Sequence, residues 1–279
     1  MHSPTRRRSR VLPAVTAVVA AGLLTACTPG GGDTTPAAPS DENLYTAAVA
    51  WRVTAAERDA LYRQGFNVAR DLLDDALAAG HERPLAIVSD IDDTVLSSDS
   101  YWRLLLEEGG HAFDDALWDR WVAENGPTAT PGAVEFLEYA ESRGVEVFYV
   151  SQRDQGERTD EFGLANLRQA GLPFADAEHV TIQRDSSDKE EAQSAVAEQY
   201  EVVAYLGDNL NDFSRAYYVD GVEERRSLVG EDAEAFGRRF VLFPNPTDGH
   251  WVRAIFGESE PADSPEYRER FLRSATGEE

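Results

Sequence analysis

The sequence predicts an α/β protein: a three-layer fold on a parallel sheet, with a small helical cap. Three observations point there. Five short apolar runs, at residues 85–88, 145–150, 180–182, 202–206 and 239–243, lack helical spacing and favour β-branched residues, as strands buried on both faces do. Segments of helical periodicity separate most of these runs, and strands alternating with helices build parallel sheets. Carboxylates crowd the ends of two runs: Asp90, Asp92 and Asp93 follow the first, and Asp208 and Asp212 follow the fourth. Open α/β sheets bind ligands beyond the carboxyl ends of their strands, and carboxylates this close repel one another unless a cation or shared proton intervenes.

Taken in order, residues 1–26 form a targeting segment. Arg6, Arg7, Arg8 and Arg10 make a positive start, and residues 11–24 a short apolar stretch. Leu24-Thr25-Ala26-Cys27 reads as a bacterial lipobox, with cleavage before Cys27 and a lipid on its sulfur. The expected location is therefore outside the cytoplasm, lipid-anchored to the outer face of the cell membrane through Cys27. The paired arginines also suit a twin-arginine export route. Cys27 is the only cysteine, so no internal disulfide can form. Residues 27–41, rich in Gly, Pro, Thr and Ala, read as a flexible tether to a domain spanning 42–279.

Residues 42–79 predict helix, with Thr54 and Glu57 as a capping box and Gly80 as the stop. Strand 85–88 and its acidic turn follow. Residues 97–127 carry aromatics without a clear strand, and predict an inserted helical region. The cap is expected from 42–80 together with 97–130. Trp118 and Trp121 have helical spacing, which suits core packing or, alternatively, a stacking face for substrate. A helix at 131–143 starts with Pro131 and stops at Gly144. The next strand stops at Ser151-Gln152-Arg153; a hydroxyl beside an Arg can hold a phosphoryl oxygen, although such a triplet also occurs in ordinary turns. Helices at 160–170 and 188–199 flank the short strand at 180–182. Lys189, in the first turn of the second, is the single lysine among 26 basic residues. A cation at a helix N-terminus gains nothing from the dipole, which favours a role for its compact ammonium elsewhere. Gly207 lets the backbone approach closely after the fourth strand. Ser264 caps a last helix with Pro265 in its first turn.

Composition bounds the partners. The chain has 279 residues, 42% hydrophobic, and a net charge of −25; without residues 1–26 this becomes 22 − 51 = −29. Such a charge disfavours nucleic-acid polymers and anionic lipid as general partners, and requires a local cation for any anionic substrate. An EF-hand calcium loop is excluded, because Val95 and Tyr101 stand where that loop needs Gly and Glu.

The order DIDDT, Ser, Lys, GDNLND resembles the haloacid dehalogenase (HAD) superfamily. DIDDTVLSSDSY at 90–101 and YLGDNLNDF at 205–213 are similar to the signatures of bacterial class C acid phosphatases, the outer-membrane-lipoprotein type. The similarity runs from about residue 49 to 251 and includes AWRVTAAERDAL, PGAVEFL, VFYVSQR and the PN…G.W loop. The resemblance implies a HAD-like Rossmannoid fold and Mg²⁺-dependent hydrolysis of a small phosphomonoester, extending to nucleoside 5′-monophosphates. Asp90 would be the nucleophile and Asp92 the general acid and base. Asp90, Asp92 through its backbone carbonyl, Asp208 and Asp212 would form the metal site, with Asp212 acting through water or supporting contacts. Ser151, Lys189 and Arg153 would hold the phosphoryl group. An acid at Asp92 favours phosphate esters over carbon–halogen bonds, since only an alkoxide needs a proton. Asp93, Ser98, the Ser151–Arg153 triplet and Asn211 depart mildly from the family pattern. Asp248 departs more, standing near an aromatic residue that stacks on nucleobases in relatives. Phosphoryl transfer to an alcohol, and a binding protein on the same fold, are the alternatives.

Overall fold

The computed structural model describes residues 43–277; the targeting segment, Cys27 and the tether lie outside them. Helices α1 (Thr46–Thr54) and α2 (Ala56–Ala79) lead into β1 (Leu85–Ser89). The insertion follows as β2 (Leu96–Ser97), α3 (Asp99–Glu107), α4 (Asp115–Ala123) and β3 (Thr128–Ala129). Then come α5 (Ala133–Ser142), β4 (Glu146–Gln152), α6 (Thr159–Gln169), β5 (Val180–Gln183), α7 (Glu190–Gln199) and β6 (Glu201–Gly207). The chain continues through α8 (Val222–Glu231), β7 (Phe240–Leu242), α9 (His250–Phe256) and α10 (Pro265–Thr276).

The main sheet has the order β5-β4-β1-β6-β7, with every pair parallel. Strand β1 is therefore central and buried along its length. Its side chains alternate: Leu85 and Ile87 enter the core shared with α2 and α5, while Ala86 and Val88 enter a second core with Val196 of α7. Both faces are covered, so the strand reads as continuously apolar. An antiparallel pair, β2 and β3, closes the insertion at its base.

A third core is aromatic. Tyr45 and Val49 pack with Tyr101, Trp102, Leu105, Leu117, Trp121 and Val122. It joins α1 to α3 and α4 and forms the cap. Helix α2 does not belong to it: Tyr62, Phe66, Ala69 and Leu73 are buried in the sheet's core. The expectation that all of 42–80 builds the cap is thus corrected. The expected capping box is also absent. Ala55, extended at ψ 117, precedes α2, and the Thr54 hydroxyl donates back to the carbonyl of Ala50 (2.6 Å). At the other end of the chain Ser264 does cap α10, accepting from the N–H of Tyr267 (3.1 Å). Among the described residues no helix is long and apolar enough to cross a membrane.

Candidate active site

The turn after β1 is tight and pinned. The N–H of Asp90 donates to Leu206 of β6 (2.9 Å), and the N–H groups of Val95 and Leu96 both donate to the carbonyl of Ile91 (3.0 and 2.8 Å). Asp93 sits at φ 52, a left-handed conformation that costs an L residue of order 1 kcal/mol. The fold of this turn sends its three carboxylates in different directions, and each meets a cation from a different element.

Asp90 is paired with the ammonium of Lys189, both buried. Asp92 accepts from Arg153 through Nε (2.7 Å) and Nη2 (2.6 Å). Asp93 is gripped by the guanidinium of Arg52, and also accepts from Ser98 Oγ (2.7 Å). Burial alone would raise Asp93, but Arg52 and the Ser98 hydrogen bonds outweigh it and hold the carboxyl below its ordinary range. Burial raises Asp92 as well, and there Arg153 resists without prevailing.

The end of β6 is built by a capping box. Asn209 caps a short 3₁₀ turn, Leu210–Asp212, and Asp212 Oδ2 accepts from the N–H of Asn209 in return (2.9 Å). Asp212 Oδ1 takes a second bond from Lys189 Nζ (2.7 Å). Only glycine fits at 207, since an added Cβ would collide with the Asp212 side chain. Asp208 has no cationic partner among the described residues. Its Oδ2 accepts from the amide of Asn245 (2.7 Å), and its other oxygen lies 3.5 Å from the Thr94 hydroxyl.

Carboxylate oxygens of Asp90, Asp208 and Asp212 lie within 4.8 Å of one another. Lys189 pairs with two of these acids, Asp90 and Asp212, and leaves the third, Asp208, without a cation among the described residues. Burial pushes Asp90 up to about 6, with Lys189 opposing and Asp212 reinforcing. Burial, then the charges of Asp212, Asp90 and Asp93, drive Asp208 well above its ordinary value. Lys189 stays charged, because the two acids outweigh its burial. Hard oxygen donors with a charge deficit suit a divalent cation such as Mg²⁺ or Ca²⁺. Asp92 offers no side-chain oxygen to this cluster; its carboxylate is turned to Arg153.

These groups line a cleft of about 570 Å³, with Ser151, buried at the end of β4, among them. A larger hollow of about 760 Å³ lies beside α9 and α10. Among the described residues, however, Asp90, Asp208 and Asp212 form the one group of three or more metal-capable side chains, so the smaller cleft is the chemical one.

Two expectations need adjustment. The guanidinium of Arg153 is engaged by Asp92 and, through Nη1, by Asn166 Oδ1 (2.9 Å), so it positions Asp92 rather than standing free for a phosphoryl group. Trp121 is turned into the cap core with its indole N–H on Ser100 Oγ (2.9 Å) and does not line the cleft, whereas Trp118 does. The packing reading holds for Trp121, and the stacking reading survives for Trp118 alone. Sequence reasoning gave no role to Arg52 or Asn245. Arg52 donates to Asp93, Ser98, Asn245 and Thr247, and Asn245 in turn reaches Asp208. The signal available was an arginine on the buried face of a helix within AWRVTAAERDAL.

Comparisons with known proteins place the chain in a family. The profile of HAD superfamily, subfamily IIIB (Acid phosphatase) matches residues 33–251. The structure is similar to that of the class C acid phosphatase from Bacillus anthracis, at 33% identity and a TM-score of 0.75, covering 82% of this chain and 94% of that one. A second crystal structure of that protein, with tungstate bound, matches at the same identity and TM-score and covers 81% and 94%.

Proposed function

Since the chain belongs to HAD subfamily IIIB, the acid phosphatases, and is a phosphomonoesterase, we propose that it hydrolyses small phosphomonoesters through an aspartyl phosphate on Asp90, with Mg²⁺ as cofactor. The observation that carries this is the meeting of Asp90, Lys189, Asp208 and Asp212 at the ends of β1 and β6. Mg²⁺ held by Asp90, Asp208 and Asp212 would supply the positive charge that keeps the nucleophile ionised and balances the phosphoryl oxygens.

The chain's own groups do the rest. A carboxylate oxygen of Asp90 attacks phosphorus as the ester P–O bond breaks. Asp92, oriented by Arg153, gives its proton to the departing alkoxide. Water then attacks the aspartyl phosphate, Asp92 takes its proton back, and the bond to Asp90 breaks to release inorganic phosphate. Lys189 and the Ser151 hydroxyl hold phosphoryl oxygens, and this placement of charge is most of what phosphoryl transfer requires. The tetrahedral oxyanion tungstate in the Bacillus anthracis enzyme is consistent with such a pocket. Trp118 gives a nucleoside 5′-monophosphate one stacking face. Export and anchoring by lipid on Cys27 belong to the same proposal and place the reaction at the cell surface.

The purified chain should release p-nitrophenol from p-nitrophenyl phosphate, lose activity with chelator, and recover it with Mg²⁺. Asp90→Asn should fall by roughly 10³-fold or more. Wild type no faster than Asp90→Asn would overturn the reading. Asp92 must be protonated to serve the leaving group, so turnover of an alkyl phosphate should decline as pH rises past the carboxylate range. A pH–rate profile of kcat peaking above neutrality would remove Asp92 from that role.

A further inference from the structure

Ester hydrolysis leaves the identity of the departing alcohol open, and the outer cleft is built for one sign of charge. Trp102 of α3, Phe113 of the loop before α4 and Trp118 of α4 line it side by side, with ring centroids 6.1 Å apart for Trp102 and Phe113 and 5.5 Å for Phe113 and Trp118. Asp248, Asp115 and Glu260, from three separate segments, line the same space. None of the three is in an ion pair with a described cation. The Asp248 carboxylate accepts one bond, from the N–H of Gly249 to its Oδ1 (2.6 Å). Burial pushes it up to about 6, and burial together with Asp115 and Asp248 pushes Glu260 up to about 7.

The basic side chains of the cleft are committed elsewhere. Lys189 serves Asp90 and Asp212, Arg153 serves Asp92, and Arg184 serves Asp154 (2.9 Å). His250 is neutral, since burial and neighbouring arginines push it down to about 3. In a chain of net charge −25, acids at a cleft mouth say little alone. Their convergence with an aromatic wall, around the space the leaving group must occupy, is what distinguishes this one. Aromatic faces with carboxylates bind weakly hydrated cations, quaternary ammonium above all.

We propose that the preferred leaving group is a compact cationic alcohol, of the amino-alcohol or quaternary-ammonium class, held between Phe113 and Trp118 and the carboxylates of Asp248, Asp115 and Glu260. The inference rests on the phosphatase reading above and narrows its substrate class. The cation takes no part in bond making: the ester P–O bond breaks, water supplies the hydroxyl to phosphorus, and its remaining proton ends on the released alcohol.

The test compares kcat/KM of the Mg²⁺-loaded chain at pH 7.5, where Asp248 and Glu260 are ionised, on choline phosphate, on its uncharged isostere 3,3-dimethylbutyl phosphate, and on the anionic ester 3-phosphoglycerate. Choline phosphate should exceed the isostere about tenfold, and the anionic ester should be poorest. In an Asp248→Asn, Glu260→Gln double variant the ratio of choline phosphate to isostere should approach one. That ratio is read within one folded enzyme and does not depend on its overall activity. Equal or reversed rates on the charged and uncharged pair would overturn the inference while the phosphatase reading stands. No turnover of any ester, p-nitrophenyl phosphate included, would overturn both.

Discussion

The ends of β1 and β6 both carry clustered aspartates, but they are neutralised differently. At β1, Asp90, Asp92 and Asp93 lie within four consecutive positions, and each faces its own cation: Lys189, Arg153 and Arg52. At β6, Asp212 shares Lys189 with Asp90, and Asp208 has only the neutral amide of Asn245. The consequence shows in acidity. Asp93 is held below the ordinary carboxylate range, and Asp208 is driven far above it. A buried anion without a counter-ion is unfavourable, so the missing positive charge is localised beside Asp208. The β1 end is completed by the fold itself; the β6 end leaves a negative charge that the fold does not balance.

The largest effect should come from breaking the β1 side. Arg52 is fully buried and holds Asp93 while Asp93 holds a left-handed turn. Arg52→Ala should lower stability by about 3–5 kcal/mol, the usual cost of leaving one member of a buried pair. At about 2–4 °C per kcal/mol for a domain of this size, thermal unfolding should shift by on the order of 10 °C. A shift of about 1 kcal/mol or less would show that Asp93 does not need its cation. The β6 side should fail in function first. Gly207→Ala forces the Asp212 side chain aside, and misplacement of a reacting group by about 1 Å costs about 10²-fold in rate. Its kcat/KM should fall by that order, and the Mg²⁺ concentration for half-maximal activity should rise. Unchanged metal dependence would remove Asp212 from the metal site.

The same contrast explains what the sequence could disclose. Strands β1, β4 and β6 were legible because burial on both faces leaves an unbroken apolar run, and such runs need no knowledge of partners. Lys189 was legible as the lone lysine in an arginine-only background. Arg52 was not, because Asp93 lies 41 positions away and no local spacing links them. Asn245 to Asp208 is likewise a contact across the fold, at 37 positions. Helices α8 and α9 went unseen for a different reason. The first is polar and mostly exposed, with Arg225 its buried residue, and the second is only 7 residues long, so neither displays an apolar stripe. Thr54 had the composition of a capping box but not the backbone, because the break between α1 and α2 falls at Ala55.

The smallest expected effect tests the charge deficit itself, through stability against pH. Asp90, up to about 6, and Asp208, raised well above its ordinary value, bind protons more tightly folded than unfolded. Where the folded state binds more protons, stability falls as pH rises. These two groups should therefore destabilise the metal-free chain from about pH 4 upward, through 6 and beyond. Asp93 has the opposite sign: its contribution is present above the unfolded value and is lost only as pH falls through its lowered folded value. On the proposed reading Mg²⁺ would bind the ionised acids, and it should reverse the first effect without touching the second. At tenfold excess over its Kd the gain should be about 1.4 kcal/mol, a Tm rise of about 3–5 °C at pH 7.5. At pH 4.5 the acids carry protons and the rise should vanish. A metal-induced shift of equal size at both pH values would mean that the ion is bound elsewhere, and that the unpaired charge at the end of β6 is not what draws it.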